Sequence, residues 1–224
     1  MPYMKLKSQL SIAFILCLFS LIVFGLLAYF VHGHDIIRFD SRVISLVQGL
    51  ESVGLTFLMK FLSFIGSAPV IIVLSIFILF FLYKVLNHRY ELILFVGVMV
   101  GSPILNYLLK ELFKRARPDF HRLVEISGYS FPSGHAMSAF TFYGIFAFLL
   151  WRHIPAWWGR TALVLFSAVM IFGIGMSRIY LGVHYPTDII GGYFASATWL
   201  GFSIWTFQRF KERSALRHTS LKTG

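Results

Sequence analysis

Apolar residues in this chain come in long runs broken by short polar stretches. The first run, Ser8 to Val31, carries no charged residue. At about 24 positions it is long enough to cross a bilayer and too long for a signal-peptide core of roughly 7–15 residues. Lys5 and Lys7 precede it, and no clear small-x-small cleavage pattern closes it, so a retained first span is expected. Further runs predict spans near Phe61–Tyr83, Leu92–Leu109, Ala136–Leu150, Thr161–Met176 and Ile189–Phe207. The expectation is an all-α polytopic membrane protein with six transmembrane helices and one domain over residues 1–224.

The connections carry patterns of their own. Between His32 and Lys60, Val43, Leu46 or Val47, Leu50 and Val53 recur at helical spacing among polar residues. This predicts a short amphipathic helix at the membrane surface, placed to anchor there, to guide a headgroup or to cover a site. Lys84 to Glu91 reads as a short polar turn. Trp151, Trp157 and Trp158 around Pro155 suit interfacial anchors. The tail from Gln208 to Gly224 is polar and basic and reads as frayed.

Composition agrees: 58% of residues are hydrophobic, 13% are charged, and mean hydropathy is +0.77. Soluble domains carry roughly 25% charged residues. The formal net charge of +11 is therefore read as basic loops facing anionic headgroups rather than nucleic acid. Cys17, the only cysteine, lies in an apolar run, which excludes an intramolecular disulfide and a thiolate metal site.

Three polar blocks carry candidate chemistry. Pro132-Ser133-Gly134-His135 reads as a helix start, with Ser133 as N-cap and His135 in the first turn. Unpaired N–H groups and a partial positive charge make such a start an anion site, and Gly134 lets an anion approach the backbone. Upstream, Lys110 and Arg117 stand seven residues apart, so one helix would carry both on a single face, with Lys114 on the same ridge and Pro118 near its end. Downstream, Ser177-Arg178 precedes His184-Tyr185-Pro186-Thr187-Asp188. Pro186 suits the first position of a new helix, and Asp188 in its first turn can reach back to His184.

In order and spacing, Lys110 with Arg117-Pro118, then Pro132 to His135, then Ser177-Arg178 with His184 and Asp188, resemble the type 2 phosphatidic acid phosphatase superfamily. Within it the chain resembles bacterial phosphatidylglycerophosphatases, which overlap with undecaprenyl-diphosphatases. The resemblance implies a lipid phosphatase in which His184 attacks phosphorus, Asp188 orients it, and His135 protonates the leaving oxygen. It implies that Lys110, Arg117, Ser133, Gly134 and Arg178 bind the substrate phosphate. Lys114, Arg115 and Arg122 are expected to be lipid-facing charge. His32, His34, His88, His121, His153 and His218 are expected to be structural.

Six spans would put both termini on one side, and the loops Lys110–Ser133 and Ser177–Asp188 together on the other. Eleven Lys and Arg fall on the terminal side and nine on the site side, six once Lys110, Arg117 and Arg178 are assigned to the phosphate. The positive-inside rule then places the termini in the cytoplasm and the site outside the cell membrane. Asp35, Asp40, Glu51, Glu111, Asp119, Glu125 and Asp188 make no obvious oxygen cage, so no metal and no other cofactor is expected. The expected partners are a membrane lipid phosphate and the bilayer, with no obligate protein partner. An anion transporter and a vanadate-dependent haloperoxidase remain as alternatives; the first leaves His135, His184 and Asp188 unexplained, and the six spans argue against the second.

Overall fold

The computed structural model describes residues 2–33, 36–84, 89–119 and 121–223, with side chains over 12–33, 36–84, 90–119 and 121–213. Among the described residues eight helices follow in order: α1 (Pro2–His32), α2 (Ile37–Gln48), α3 (Val53–Ile65), α4 (Ala68–Lys84), α5 (Arg89–Phe113), α6 (Gly134–Trp151), α7 (Trp157–Tyr180) and α8 (Pro186–Thr223). No strand occurs among the described residues, in agreement with the all-α expectation. His34, Asp35 and His88, and the side chains of Lys5, Lys7 and His218, lie outside the described residues.

Among the described residues four helices are long and apolar enough to cross a membrane: Ile12–His32 in α1, Tyr90–Phe113 in α5, and all of α6 and α7. The expected second span is broken. α3 and α4 meet at Gly66-Ser67 with a bend of 53°, and the pair adds a fifth candidate if taken as one span. The outward side chains suit lipid: Ile15 is 62% exposed and Leu16 58%, while the backbone bonds stay within the helix.

α6 is the central element. Ala139, Phe142, Ile145 and Leu149 along it are buried, packed with Phe95 and Val98 of α5, Ile174 of α7 and Leu200 of α8. Close packing uses small residues, the usual device where no water drives helices together. At Gly101 an added Cβ would lie 2.1 Å from Cζ2 of Trp199. The same indole donates from Nε1 to the Val98 carbonyl at 3.1 Å, which holds α8 against α5.

Several boundaries differ from expectation. Glu91 belongs to the first turn of α5, where its Oε1 accepts from Arg152 Nη2 at 2.8 Å and Lys211 Nζ at 2.7 Å. α8 continues as helix to Thr223, through the stretch expected to be frayed. α2 exists, but its inward stripe is Asp40, Ile44 and Val47; Leu46 is 68% exposed, while Leu50 and Val53 lie beyond its end. α5 stops at Phe113, and Lys114 takes a left-handed φ of +46°. Lys110, Lys114 and Arg117 therefore do not share a helix face.

Gly101→Ala should lower the melting midpoint in detergent by roughly 3–10 °C, because overpacking costs about 1–3 kcal/mol. Gly97→Ala, on the same helix with nothing within 4 Å of an added Cβ, is the control and should leave the midpoint unchanged.

Candidate active site

The α7–α8 turn places His184. α7 ends with Gly182 at φ +73°, its N–H donating to the Ile179 carbonyl at 3.0 Å and the Val183 N–H donating to the Arg178 carbonyl at 3.2 Å. This is a Schellman-type termination, which favours glycine at that position. Two residues later His184 is 1% exposed, and Pro186 opens α8 as its spacing predicts.

Asp188 lies in the first turn of α8 and is fully buried. Its Oδ2 accepts from the Tyr185 N–H at 2.9 Å and stands 3.3 Å from His184 Nδ1. A carboxylate at Nδ1 makes that nitrogen the N–H and leaves Nε2 with the lone pair. Nε2 faces Arg117 Nη1 at 3.2 Å, a donor, which fits the same tautomer.

α6 begins beside it. The Ser133 N–H donates to the Asp188 carbonyl at 3.0 Å, and Ser133 Oγ accepts from the Ala136 N–H at 3.4 Å as the expected N-cap. Asn106 Nδ2 donates to the Pro132 carbonyl at 3.0 Å and secures the turn from α5. His135, in the first turn, lines an open cleft of about 260 Å³ with Lys60, Ser63, Phe64, Ser67, Val124 and Leu181.

The cations reach the same place by different routes. Lys110 Nζ donates to the Tyr129 carbonyl at 2.9 Å. Arg117, past the end of α5, donates to the carbonyls of Gly128 at 2.9 Å, Ser127 at 3.1 Å, Tyr129 at 3.2 Å and Val183 at 2.8 Å. That web pins the 114–133 loop over the α7–α8 turn. Arg178, at the end of α7, is 4% exposed and donates from Nη1 to Ser63 Oγ. Its Nε is buried without a hydrogen-bond partner among the described residues. A buried donor of this kind requires an acceptor. Arg117, Asp188 and Arg178 all act electrostatically on Lys110, as Asp188 does on Arg117 and Arg117 on Arg178.

Sequence reasoning missed Arg115, Asp40, Ser63, Lys60 and Asn106. Arg115 is not lipid-facing: Nη1 donates to Asp188 Oδ1 at 2.6 Å, and Nη2 to Asp40 Oδ2 at 2.7 Å. Arg122 is half-buried and donates from Nε to the Pro118 carbonyl at 2.9 Å. His121 pairs with Glu51 at 3.3 Å, in keeping with a structural role. The inward polar position of Asp40 on an amphipathic helix was the one signal available for it. No cluster of three or more His, Cys, Asp or Glu with metal-binding geometry occurs among the described residues.

A family profile described as the PAP2 superfamily matches residues 91–212. Phosphatidylglycerophosphatase B of Bacillus subtilis is 32% identical over 174 residues, covering 76% of this chain and 84% of that protein. The crystal structure of the transmembrane PAP2-type phosphatidylglycerolphosphate phosphatase from Bacillus subtilis superposes with a TM-score of 0.75 at 29% identity, covering 88% of this chain and 96% of that one. An undecaprenyl-diphosphatase of Sulfolobus acidocaldarius is 29% identical over 172 residues, covering 76% of this chain and 79% of that protein. The chain belongs to the PAP2 superfamily, and its apolar helices make it a multi-pass membrane protein.

Burial pushes the His184 imidazole down to about 4, against the bond and charge of Asp188, with Arg117 and Arg178 adding repulsion. The ring therefore stays neutral at every pH above about 5, where a free histidine titrates near 6.5. In protein labelled with ¹⁵N-histidine, His184 should keep the neutral Nδ1–H pattern down to pH 5. A titration midpoint at 6 or above would contradict the buried environment.

Proposed function

We propose that this protein is a membrane phosphatase that removes the terminal phosphate of phosphatidylglycerol phosphate, serving phosphatidylglycerol synthesis. One observation carries the reading: His184, its Nδ1 beside Asp188 and its Nε2 beside Arg117, is buried where Lys110 and Arg178 also converge. A histidine so held is a nucleophile facing an anion-binding surface.

A phosphoryl oxygen accepting from Arg117 lies next to the Nε2 lone pair. Arg178, Lys110 and the N–H groups at the start of α6 draw the remaining oxygens and stabilise the planar phosphoryl group in transit. The P–N bond to His184 forms as the P–O bond to the lipid breaks, and Asp188 stabilises the imidazolium. His135 gives its proton to the departing lipid oxygen. Water then attacks phosphorus, His135 takes a proton from it, the P–N bond breaks and inorganic phosphate leaves. No step calls on a metal.

The whole chain, residues 1–224, is read as one domain. Six spans are proposed: α1, the α3–α4 pair, α5, α6, α7 and the apolar first half of α8. Packing of α8 against α1, α5 and α6 supports its inclusion. The termini are placed in the cytoplasm and the site at the outer face of the cell membrane, by the Lys and Arg count.

The Bacillus relative supports phosphatidylglycerol phosphate as substrate, and the Sulfolobus relative supports undecaprenyl diphosphate as the second reading. Purified protein should be tested on phosphatidylglycerol phosphate, undecaprenyl diphosphate, phosphatidic acid and diacylglycerol pyrophosphate, because kcat/KM measures discrimination. The first is expected to lead. A tenfold preference for undecaprenyl diphosphate would move the enzyme to cell-wall carrier recycling, and equal turnover of a short soluble phosphate ester would remove the lipid reading. His184→Ala should fall below about 1% of wild-type turnover while still inserting and folding.

A further inference from the structure

The shortest bond to the Asp188 carboxylate comes from Arg115, not from His184. Arg115 Nη1 lies 2.6 Å from Oδ1, whereas His184 Nδ1 lies 3.3 Å from Oδ2. Arg115 does not end there. Its Nη1 also donates to Thr187 Oγ1 at 2.8 Å, and its Nη2 reaches Asp40 Oδ2 at 2.7 Å. Asp40 in turn accepts from the Thr187 N–H at 3.0 Å and from the Thr187 hydroxyl at 2.7 Å. Thr187 adjoins Asp188, so the bonds close into a ring: Asp40, Arg115, Asp188, Thr187 and back to Asp40.

Both carboxylates are fully buried, and the guanidinium lies 4.0 Å over the Tyr185 ring. Such a ring has no freedom to drift, since every polar atom that moves leaves a buried charge unpaired. The carboxylate that orients His184 is thus held from behind by α2, whose opposite face exposes Arg38, Phe39, Arg42 and Leu46.

We propose that Asp40 and Arg115 are positioning residues for the reaction: with Thr187 they fix the Asp188 carboxylate, and through it the His184 ring, so that α2 sets the aim of the nucleophile. The inference rests on the proposed roles of His184 and Asp188. Neither Asp40 nor Arg115 touches the phosphate in this scheme. Their loss therefore acts on the rate of the chemical step and leaves substrate binding alone.

The test uses full-length protein in lipid nanodiscs, with Asp40→Asn, Arg115→Gln, Arg115→Lys and the Asp40→Asn/Arg115→Gln double variant. kcat and KM are measured on the best lipid phosphate for the wild type. Asp40→Asn and Arg115→Gln should each lower kcat about 10- to 100-fold, as loss of an orienting partner does, with KM within threefold of wild type. Arg115→Lys keeps the charge and one contact and should recover at least fivefold over Arg115→Gln. The double variant should be no more than about threefold slower than the worse single one, because both break one ring.

If the Arg115 variants do not fold, Thr187→Val removes the hydroxyl bonds without changing charge, and kcat should still fall about three- to tenfold. Three results would each overturn the proposal: kcat within twofold of wild type, a raised KM at constant kcat, or multiplicative effects in the double variant. The His184 Nδ1–H resonance gives a readout independent of turnover and should shift in Asp40→Asn. A wild type that cleaves no lipid phosphate would refute the functional reading, while that resonance would still decide the positioning.

Discussion

Burying charge at a membrane boundary is the constraint on which the rest of this structure depends. Lys110, Arg115, Arg117 and Arg178 converge with Asp40 and Asp188, four cations against two carboxylates. Isolated, any of these groups would be costly to remove from water. The chain meets that cost with backbone: carbonyls of Ser127, Gly128, Tyr129 and Val183 satisfy Arg117, and Tyr129 also satisfies Lys110. The surplus positive charge is left for a substrate dianion to neutralise. Fixed protein dipoles and cations act more strongly among buried groups than they would in bulk water.

The same constraint explains the irregular stretches. The described residues between Lys114 and Pro132 contain little regular structure, yet the carbonyls of Ser127, Gly128 and Tyr129 are committed to Arg117 and Lys110, and the Ser130 hydroxyl donates to the Ala116 carbonyl at 2.9 Å. A helix continued through Arg117 would have carried that residue straight on along the α5 axis, whereas the turn at Lys114 lets it double back onto the carbonyls of residues 127–129 and 183.

Much of this was legible in the sequence. The apolar runs located α1, α5, α6 and α7 to within a few residues, because lipid demands a continuous apolar stretch. The N-cap at Ser133, Pro186 at the start of α8, and the approach of Asp188 to His184 follow from local chemistry over three or four residues. The break at Gly66-Ser67 did not show, since both flanks are apolar and the bend is a tertiary choice. Neither did the end of α5: nothing in Lys-Glu-Leu-Phe-Lys-Arg-Ala-Arg resembles a helix stop, and Pro118 pointed five residues too late. Arg115 looked like surface charge because the partner that buries it, Asp40, is 75 residues away.

That separation bears on how the protein is made. Asp40 and Thr187 are bonded across 147 residues, and the chain is synthesised from its N-terminus. Asp40 can meet Arg115 once α5 has been made, but its bonds to Thr187 wait until nearly every helix has been synthesised and α8 has begun. Only then does Arg115 reach its second carboxylate, Asp188, and does that carboxylate come to stand beside His184. A chain stalled at any earlier helix lacks His184 and Asp188 altogether, and one misrouted there carries them without the assembled ring.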